Sequence, residues 1–307
     1  MKSINRSIQN IASMSKLTKA RYLSSLFSVL LMLSSVGIIM ANGFNWGLDF
    51  TGGIVTEIKL DRSIKANQIN QLLADKSDQA VSVISAGEPG RWILRYAHVD
   101  NADTNDIKTV LAPLTDDVDV LNSSIVGPQV GQDLADQGGL ALIVAMLCIL
   151  AYLSVRFEWR LASGALLALF HDVVFVLAFF SLTQMEFDLT TLAAVLAVLG
   201  YSLNDSIVIA DRIREVIVAK PKMAINDVCS LAVKSTFSRT MITSGTTLFT
   251  VFALWMMGGE PLQGFSIAMF LGIVIGTVSS VSVGTCLPEL LNVNSEHYKV
   301  KPVSATP

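Results

Sequence analysis

The stretch Thr190-Thr191-Leu192-Ala193-Ala194-Val195-Leu196-Ala197-Val198-Leu199-Gly200-Tyr201-Ser202-Leu203-Asn204-Asp205-Ser206-Ile207-Val208-Ile209-Ala210 is long and apolar enough to cross a lipid bilayer, yet it carries a carboxylate at Asp205. A spanning helix needs roughly 20 mostly apolar residues. An acid at its centre costs about 2.5–3.5 kcal/mol even on lenient insertion scales, so it marks a site hypothesis. A second acid, Asp172, interrupts the preceding apolar run directly after His171. Two acids on neighbouring helices point to proton handling.

The rest of the chain has the same character. Of 307 residues 52% are hydrophobic and only 15% charged, and the mean hydropathy of +0.56 lies outside the soluble globular range. Six runs qualify as spans: Tyr22–Ala41, Gly138–Val155, Leu161–Leu182, Thr190–Ala210, Met241–Met257 and Phe265–Leu287. An even number puts both termini on one side. Lys and Arg in short flanking segments decide which side. Residues 1–21 carry Lys2, Arg6, Lys16, Lys19 and Arg21 and no acid, which predicts a cytoplasmic N-terminus. Arg156 and Arg160 follow the second span, and residues 211–240 read as a cytoplasmic loop holding Arg212, Arg214, Lys220, Lys222, Lys234 and Arg239. Residues 288–307 form the cytoplasmic tail. The turns Ser181–Leu189 and Gly258–Gly264 hold no Lys or Arg. The first run is longer than a typical signal-peptide core, and Ile39-Met40-Ala41 is a poor cleavage site, so it reads as a retained anchor.

Residues 42–137 are polar, with 14 Asp and Glu against 7 Lys and Arg, and form a separate exported domain. Alternating apolar stretches at Ile54–Leu60, Val81–Ser85, Trp92–Tyr96 and Val118–Ile125 predict strands, and Lys65–Leu73 and Thr104–Leu111 predict helices. The order β-α-β-β-α-β predicts a ferredoxin-like α+β sandwich. None of the three cysteines, Cys148, Cys229 and Cys286, falls in this domain, so no disulfide framework is available there. No phosphate-binding loop, dinucleotide glycine pattern or metal-ligand spacing is found, and neither cofactor nor metal is expected.

Helical spacing says which way the acids face. Ala193, Ala197 and Tyr201 precede Asp205 at intervals of four, and Gly164 and Ala168 precede Asp172 likewise. Small residues mark helix contacts in membranes, so both acids are expected to face a bundle rather than lipid. Thr243, Thr246, Thr247 and Thr250 give the fifth span a polar stripe starting at Arg239, with Thr243 and Thr247 the candidate lining of a proton path. Asp205 lies six residues before Asp211, about 9 Å at 1.5 Å per residue, a depth compatible with pairing to Arg239. Gly272, Gly276, Ser280 and Gly284 place a small residue at every fourth position of the last span, a spacing that permits close helix packing.

Several local motifs occur together and in order. They are Gly47-Leu48-Asp49-Phe50-Thr51-Gly52-Gly53, Val126-Gly127-Pro128-Gln129-Val130-Gly131, His171-Asp172, Gly200-Tyr201-Ser202-Leu203-Asn204-Asp205, Asp211-Arg212-Ile213-Arg214-Glu215 and Ser238-Arg239-Thr240. With the topology, they resemble the SecF protein-export family of the RND superfamily over nearly all of the chain outside its extreme termini. The resemblance implies a six-span, RND-type half bundle with a periplasmic domain in a bacterial inner membrane. It also implies a pseudo-symmetric pairing with SecD, assistance to the SecYEG channel, YajC and YidC as further partners, an unfolded preprotein as client, and the proton gradient as energy source. Asp205 matches the family's proton-carrying acid, Arg239 the arginine thought to pair with it, and Asp172 a further position of the relay. Ala210 departs from the bulky aromatic expected before Asp211. Gly47, Gly52 and Gly53, between the first span and the exported domain, are candidate hinge positions.

Other classes compete with this reading. A small-molecule or lipid exporter of the wider RND group usually carries both halves in one chain. A translocase scaffold that moves no protons shares the topology. An intramembrane aspartyl protease would use Tyr-Asp and Gly-x-Gly-Asp, whereas this chain has His171-Asp172 and Asn204-Asp205. Nucleic acid is not an expected partner; membrane lipid is. For the topology, a cysteine at Asp103 in a Cys-free background should react with a membrane-impermeant maleimide in intact spheroplasts, and native Cys229 should stay silent. Labelling of Cys229 would invert the topology.

Overall fold

The computed structural model describes residues 16–76, 81–86, 89–96, 104–115, 117–291, 293 and 298. Residues 1–15 of the expected N-terminal segment, most of the expected tail, and Asp103 lie outside them. Among the described residues, six helices are long and apolar enough to cross a membrane. In chain order the helices are α1 (Lys16–Asn42), the short α2 (Leu48–Thr51), α3 (Ala66–Lys76), α4 (Thr104–Leu111), α5 (Pro128–Arg156), α6 (Trp159–Thr183), α7 (Leu189–Ala219), α8 (Ile225–Met257), α9 (Gln263–Val281) and α10 (Val283–Leu290). The strands are β1 (Gly53–Lys59), β2 (Val81–Ser85), β3 (Arg91–Tyr96) and β4 (Asp119–Val126).

The sheet order is β2-β3-β1-β4, antiparallel throughout, the topology expected of a ferredoxin-like sandwich. Period-two alternation turns Ile58, Leu94 and Val83 to one face, where Ile69 and Leu73 of α3 and Ile107 and Leu111 of α4 cover them. Thr56 lies on the same buried face and is satisfied by the hydroxyls of Tyr96 and Ser123 on the flanking strands.

Three element boundaries differ from the sequence reading. The expected loop 211–240 is helical except for the turn at 220–224, because α7 runs on to Ala219 and α8 starts at Ile225. Ile213, Val216 and Ile217 form a helical stripe that packs on Val228, Cys229, Ala232 and Val233. The intervening charges, with Arg212 paired to Glu215 and Arg156 to Asp211, hide this stripe from a hydropathy window. The second span likewise begins ten residues early, at Pro128, whose fixed backbone suits a first helical position. The expected last span divides at Ser282, whose backbone (φ −91°, ψ −77°) sits at the edge of the right-handed helical region. The hydroxyls of Ser282 and Thr285 bond back to Val278 and Val281 carbonyls, which bends helices.

Helix α1 is mostly exposed, as a lipid-facing helix must be, but Thr18, Arg21, Ser28 and Ser35 are buried. Arg21, expected to be a plain cytoplasmic anchor, forms a buried ion pair with Glu289 at 2.9 Å. Its guanidinium also donates to the Thr285 and Ser230 hydroxyls. The pair thus joins α1 to α8 and α10.

Cys229 is fully buried, so its silence toward a maleimide carries no topological information. A cysteine at the exposed Lys222 is the better inside control. The Arg21–Glu289 pair sets a second expectation, because removing one partner strands a buried charge at a cost of about 3–5 kcal/mol, whereas replacing both by apolar groups is often neutral. Arg21→Ala should therefore markedly lower the thermal unfolding midpoint of the detergent-solubilised chain. Arg21→Met combined with Glu289→Met should recover most of it, and an equal loss in the double variant would contradict the pairing.

Candidate functional site

The two intramembrane acids lie on adjacent helices in different surroundings. Asp172 on α6 is fully buried. Its Oδ2 accepts from the Ser202 hydroxyl of α7 and, at 2.9 Å, from the Ser279 hydroxyl of α9, and its Oδ1 lies 3.0 Å from Nδ1 of His171. Three helices meet on one carboxylate. The glycine stripe makes this possible, since a Cβ at Gly276 would stand 3.2 Å from Asp172 Oδ2 and one at Gly272 only 2.2 Å from Val198. Ser280 is buried on the same helix, and Gly284, now part of α10, faces Ala168 of α6. The stripe seats α9 and α10 against α6 and α7 within this chain.

Asp205 is 3% exposed, and its Oδ2 is buried with no hydrogen-bond partner. Ser244 of α8 faces the carboxylate, and Arg239 attracts it from the same helix. The two do not close into an ion pair within 4 Å, and Arg239 is exposed. Tyr201, Ser206 and Thr240 add three more buried hydroxyl oxygens without partners on α7 and α8. Such atoms are costly in an apolar interior and call for a reason. An acceptor oxygen with no donor is one that a proton would satisfy.

The threonine stripe is less available than its sequence suggests. Thr243 and Thr247 are half-buried, and their hydroxyls donate to the carbonyls of Arg239 at 3.1 Å and Thr243 at 2.9 Å, the usual back-bonding of threonine in a helix. Thr246 and Thr250 do the same on the exposed side. These hydroxyls keep a lone pair for a passing proton but have no free O–H.

The small-residue faces also differ. Gly164 and Ala168, beside Asp172, are buried, whereas Ala193, Ala197, Gly200 and Asn204, beside Asp205, are exposed. A Cβ at Gly200 or at Gly245 of α8 would meet nothing within 4 Å. The small-residue side expected from spacing is therefore covered on α6, next to Asp172, and bare on α7, where Ala193 and Ala197 are exposed although Asp205 is buried.

The hinge glycines lie in a neck that is packed rather than open. Gly47 donates to the Phe187 carbonyl at 2.9 Å, and Gly53 has Leu48 and the Tyr96 carbonyl 2.7 Å from the place of a Cβ. Gly52 alone of the three has a positive φ, +75°, which glycine adopts without strain. Among the described residues no group of three His, Cys, Asp or Glu could hold a metal. Sequence reading missed Ser202, Ser279 and Ser244, although hydroxyls in apolar spans are a known sign of interhelical bonding. It also missed Arg21 and Glu289.

Comparison with known proteins places these features in one family. The model described as "Protein export membrane protein SecD/SecF, C-terminal" matches residues 106–293, and the "SecD/SecF GG Motif" model matches residues 37–64. The protein translocase subunit SecF of Vibrio alginolyticus is 40% identical over 276 residues, 88% of each chain. That of Calditerrivibrio nitroreducens is 38% identical, covering 92% of this chain and 96% of the relative. The crystal structure of SecDF, a translocon-associated membrane protein from Thermus thermophilus, superposes with a TM-score of 0.77 at 29% identity, covering 90% of this chain. A super-membrane-facing form of SecDF gives 0.70 at 31% identity. This chain spans 38% of the length of either SecDF chain. The order of spans, the ferredoxin-like sheet, the glycine-rich neck and the two buried acids thus belong together, and the chain is a member of the SecD/SecF family of protein-export membrane proteins.

Proposed function

We propose that this chain is the SecF half of a proton-driven preprotein translocase, with Asp205 as the proton carrier and Arg239 as its counter-charge across a face that a SecD-type half completes. The single observation that carries the reading is the buried Asp205 oxygen without a donor, beside an exposed arginine that attracts it but does not close on it. The bare face of Ala193, Ala197, Gly200 and Asn204 supports it, because small residues let a second bundle approach closely. A proton moving down the membrane potential releases about 2.3 kcal/mol per 100 mV, enough to bias two packings that differ in whether Asp205 is charged. Asp172, held by Ser202, Ser279 and His171, keeps α6, α7 and α9 in register beside the carrier and serves as a further relay position. The exported domain, on the periplasmic side of a bacterial inner membrane, acts on unfolded preprotein leaving SecYEG, with YajC and YidC as further partners.

Asp205→Asn keeps size and hydrogen bonding but abolishes titration. In vesicles containing SecYEG, SecD and this chain, the complex should assemble normally and preprotein release should lose its stimulation by a proton gradient. Asp205→Glu should retain part of it, and Arg239→Ala should also impair it. Stimulation at the unmodified level by the Asp205→Asn protein would leave a scaffold as the better account.

A further inference from the structure

The hydroxyls along α8 fall into two groups. Thr243, Thr246, Thr247 and Thr250 all donate to carbonyls of their own helix, whereas Ser244, only 4% exposed, does not. A serine in mid-helix often back-bonds in the same way. Ser244 instead lies between the Asp205 carboxylate of α7, which it faces, and the half-buried Thr277 of α9, whose hydroxyl is 2.8 Å from its own. Three helices thus meet on one serine.

Counting protons gives that contact a direction. Each hydroxyl has one proton to donate and two lone pairs. Thr277 places its proton on the Ile273 carbonyl at 2.8 Å. The bond between Thr277 and Ser244 is therefore donated by Ser244, whose Oγ keeps only lone pairs for Asp205. An ionised carboxylate only accepts, so it would meet those lone pairs with no proton between them, whereas a protonated one donates. The hydroxyls stand in the order that suits protonated Asp205, in accord with an Oδ2 that receives no hydrogen bond. Ionisation reverses the order. Ser244 turns its O–H to the carboxylate, and Thr277 turns from the Ile273 carbonyl to donate to Ser244, while that carbonyl keeps the helical N–H of Thr277. No proton leaves either hydroxyl.

We propose that Ser244 and Thr277 are positioning residues that read the charge of Asp205, their hydrogen bond running toward Thr277 when the carboxyl is protonated and toward Ser244 when it is ionised. The readout rests on proton carriage by Asp205. Among the described residues the charged group facing Asp205 is Arg239 of α8, which attracts the ionised form in either arrangement. Helix α9 carries no ionisable side chain, and Asp172 of α6 is engaged by His171, Ser202 and Ser279. Thr277 sits two residues before Ser279, so the helix that reads Asp205 also holds Asp172.

Solid-state NMR of isotope-labelled aspartate carboxyls, in the complex with a SecD half in lipid, follows the titration of Asp205, whose signal is the one missing from Asp205→Asn. Ser244→Ala takes away the donor to the charged carboxylate, the stronger of the bonds, so Asp205 should stay protonated to a pH about one unit higher than in the parent. Thr277→Val removes two bonds from the protonated arrangement and one from the ionised, so Asp205 should lose its proton at a lower pH. Thr277→Ser keeps the hydroxyl and should titrate as the parent does. Plain helix packing would move the first two variants one way or not at all. Shifts of one sign, or either of those two variants titrating like the parent, would overturn the readout; an Asp205 signal that does not titrate would overturn proton carriage with it.

Discussion

A carboxylate inside an apolar helix bundle must be answered by donors or by a proton, and the helix contacts of this chain follow from how its two acids meet that demand. Asp172 is answered in full by His171, Ser202 and Ser279, so it draws α6, α7 and α9 together. Gly272 and Gly276 supply the close approach that the arrangement needs. Asp205 is answered only in part. Its orphan oxygen, its unclosed attraction to Arg239 and the bare small-residue face beside it describe a half-built site, in accord with a chain that spans 38% of a SecDF protein.

The α+β domain is mechanically continuous with the bundle. Helix α1 runs from the buried Arg21–Glu289 pair at one end to the Phe187-bonded neck at the other. A rearrangement at Glu289, behind the break at Ser282, would therefore reach α1 through a charge pair rather than through lipid-exposed apolar contacts. Beside that neck, Arg95 of β3 adds a second connection, 3.8 Å from Glu186 on the turn between the two acid-bearing helices.

Much of this was legible from residue types alone. Apolar runs such as Thr190–Ala210 identified the bundle, the acid within that run marked a candidate site, and alternation in residues 54–60 and 92–96 identified the sheet, whose order follows from the β-α-β-β-α-β sequence. The rest depended on tertiary partners. Arg21 reads as one of five N-terminal cations because Glu289 lies 268 residues away. The extension of α7 is concealed because Ile213, Val216 and Ile217 alternate with charged residues. Spacing put Ala193 and Ala197 on the inward side with Asp205, yet the two alanines are exposed while Asp205 is buried, and nothing in one chain's sequence says which side of α7 its own helices cover.

The account's central claim is that Asp205 takes up and releases a proton while Asp172 holds its neighbours in place. Infrared difference spectra of the complex with its SecD half in lipid, recorded between acid and neutral pH, read carboxyl protonation directly. The account predicts a protonated-carboxyl band that vanishes in Asp205→Asn. A band of unchanged intensity in that variant would contradict it.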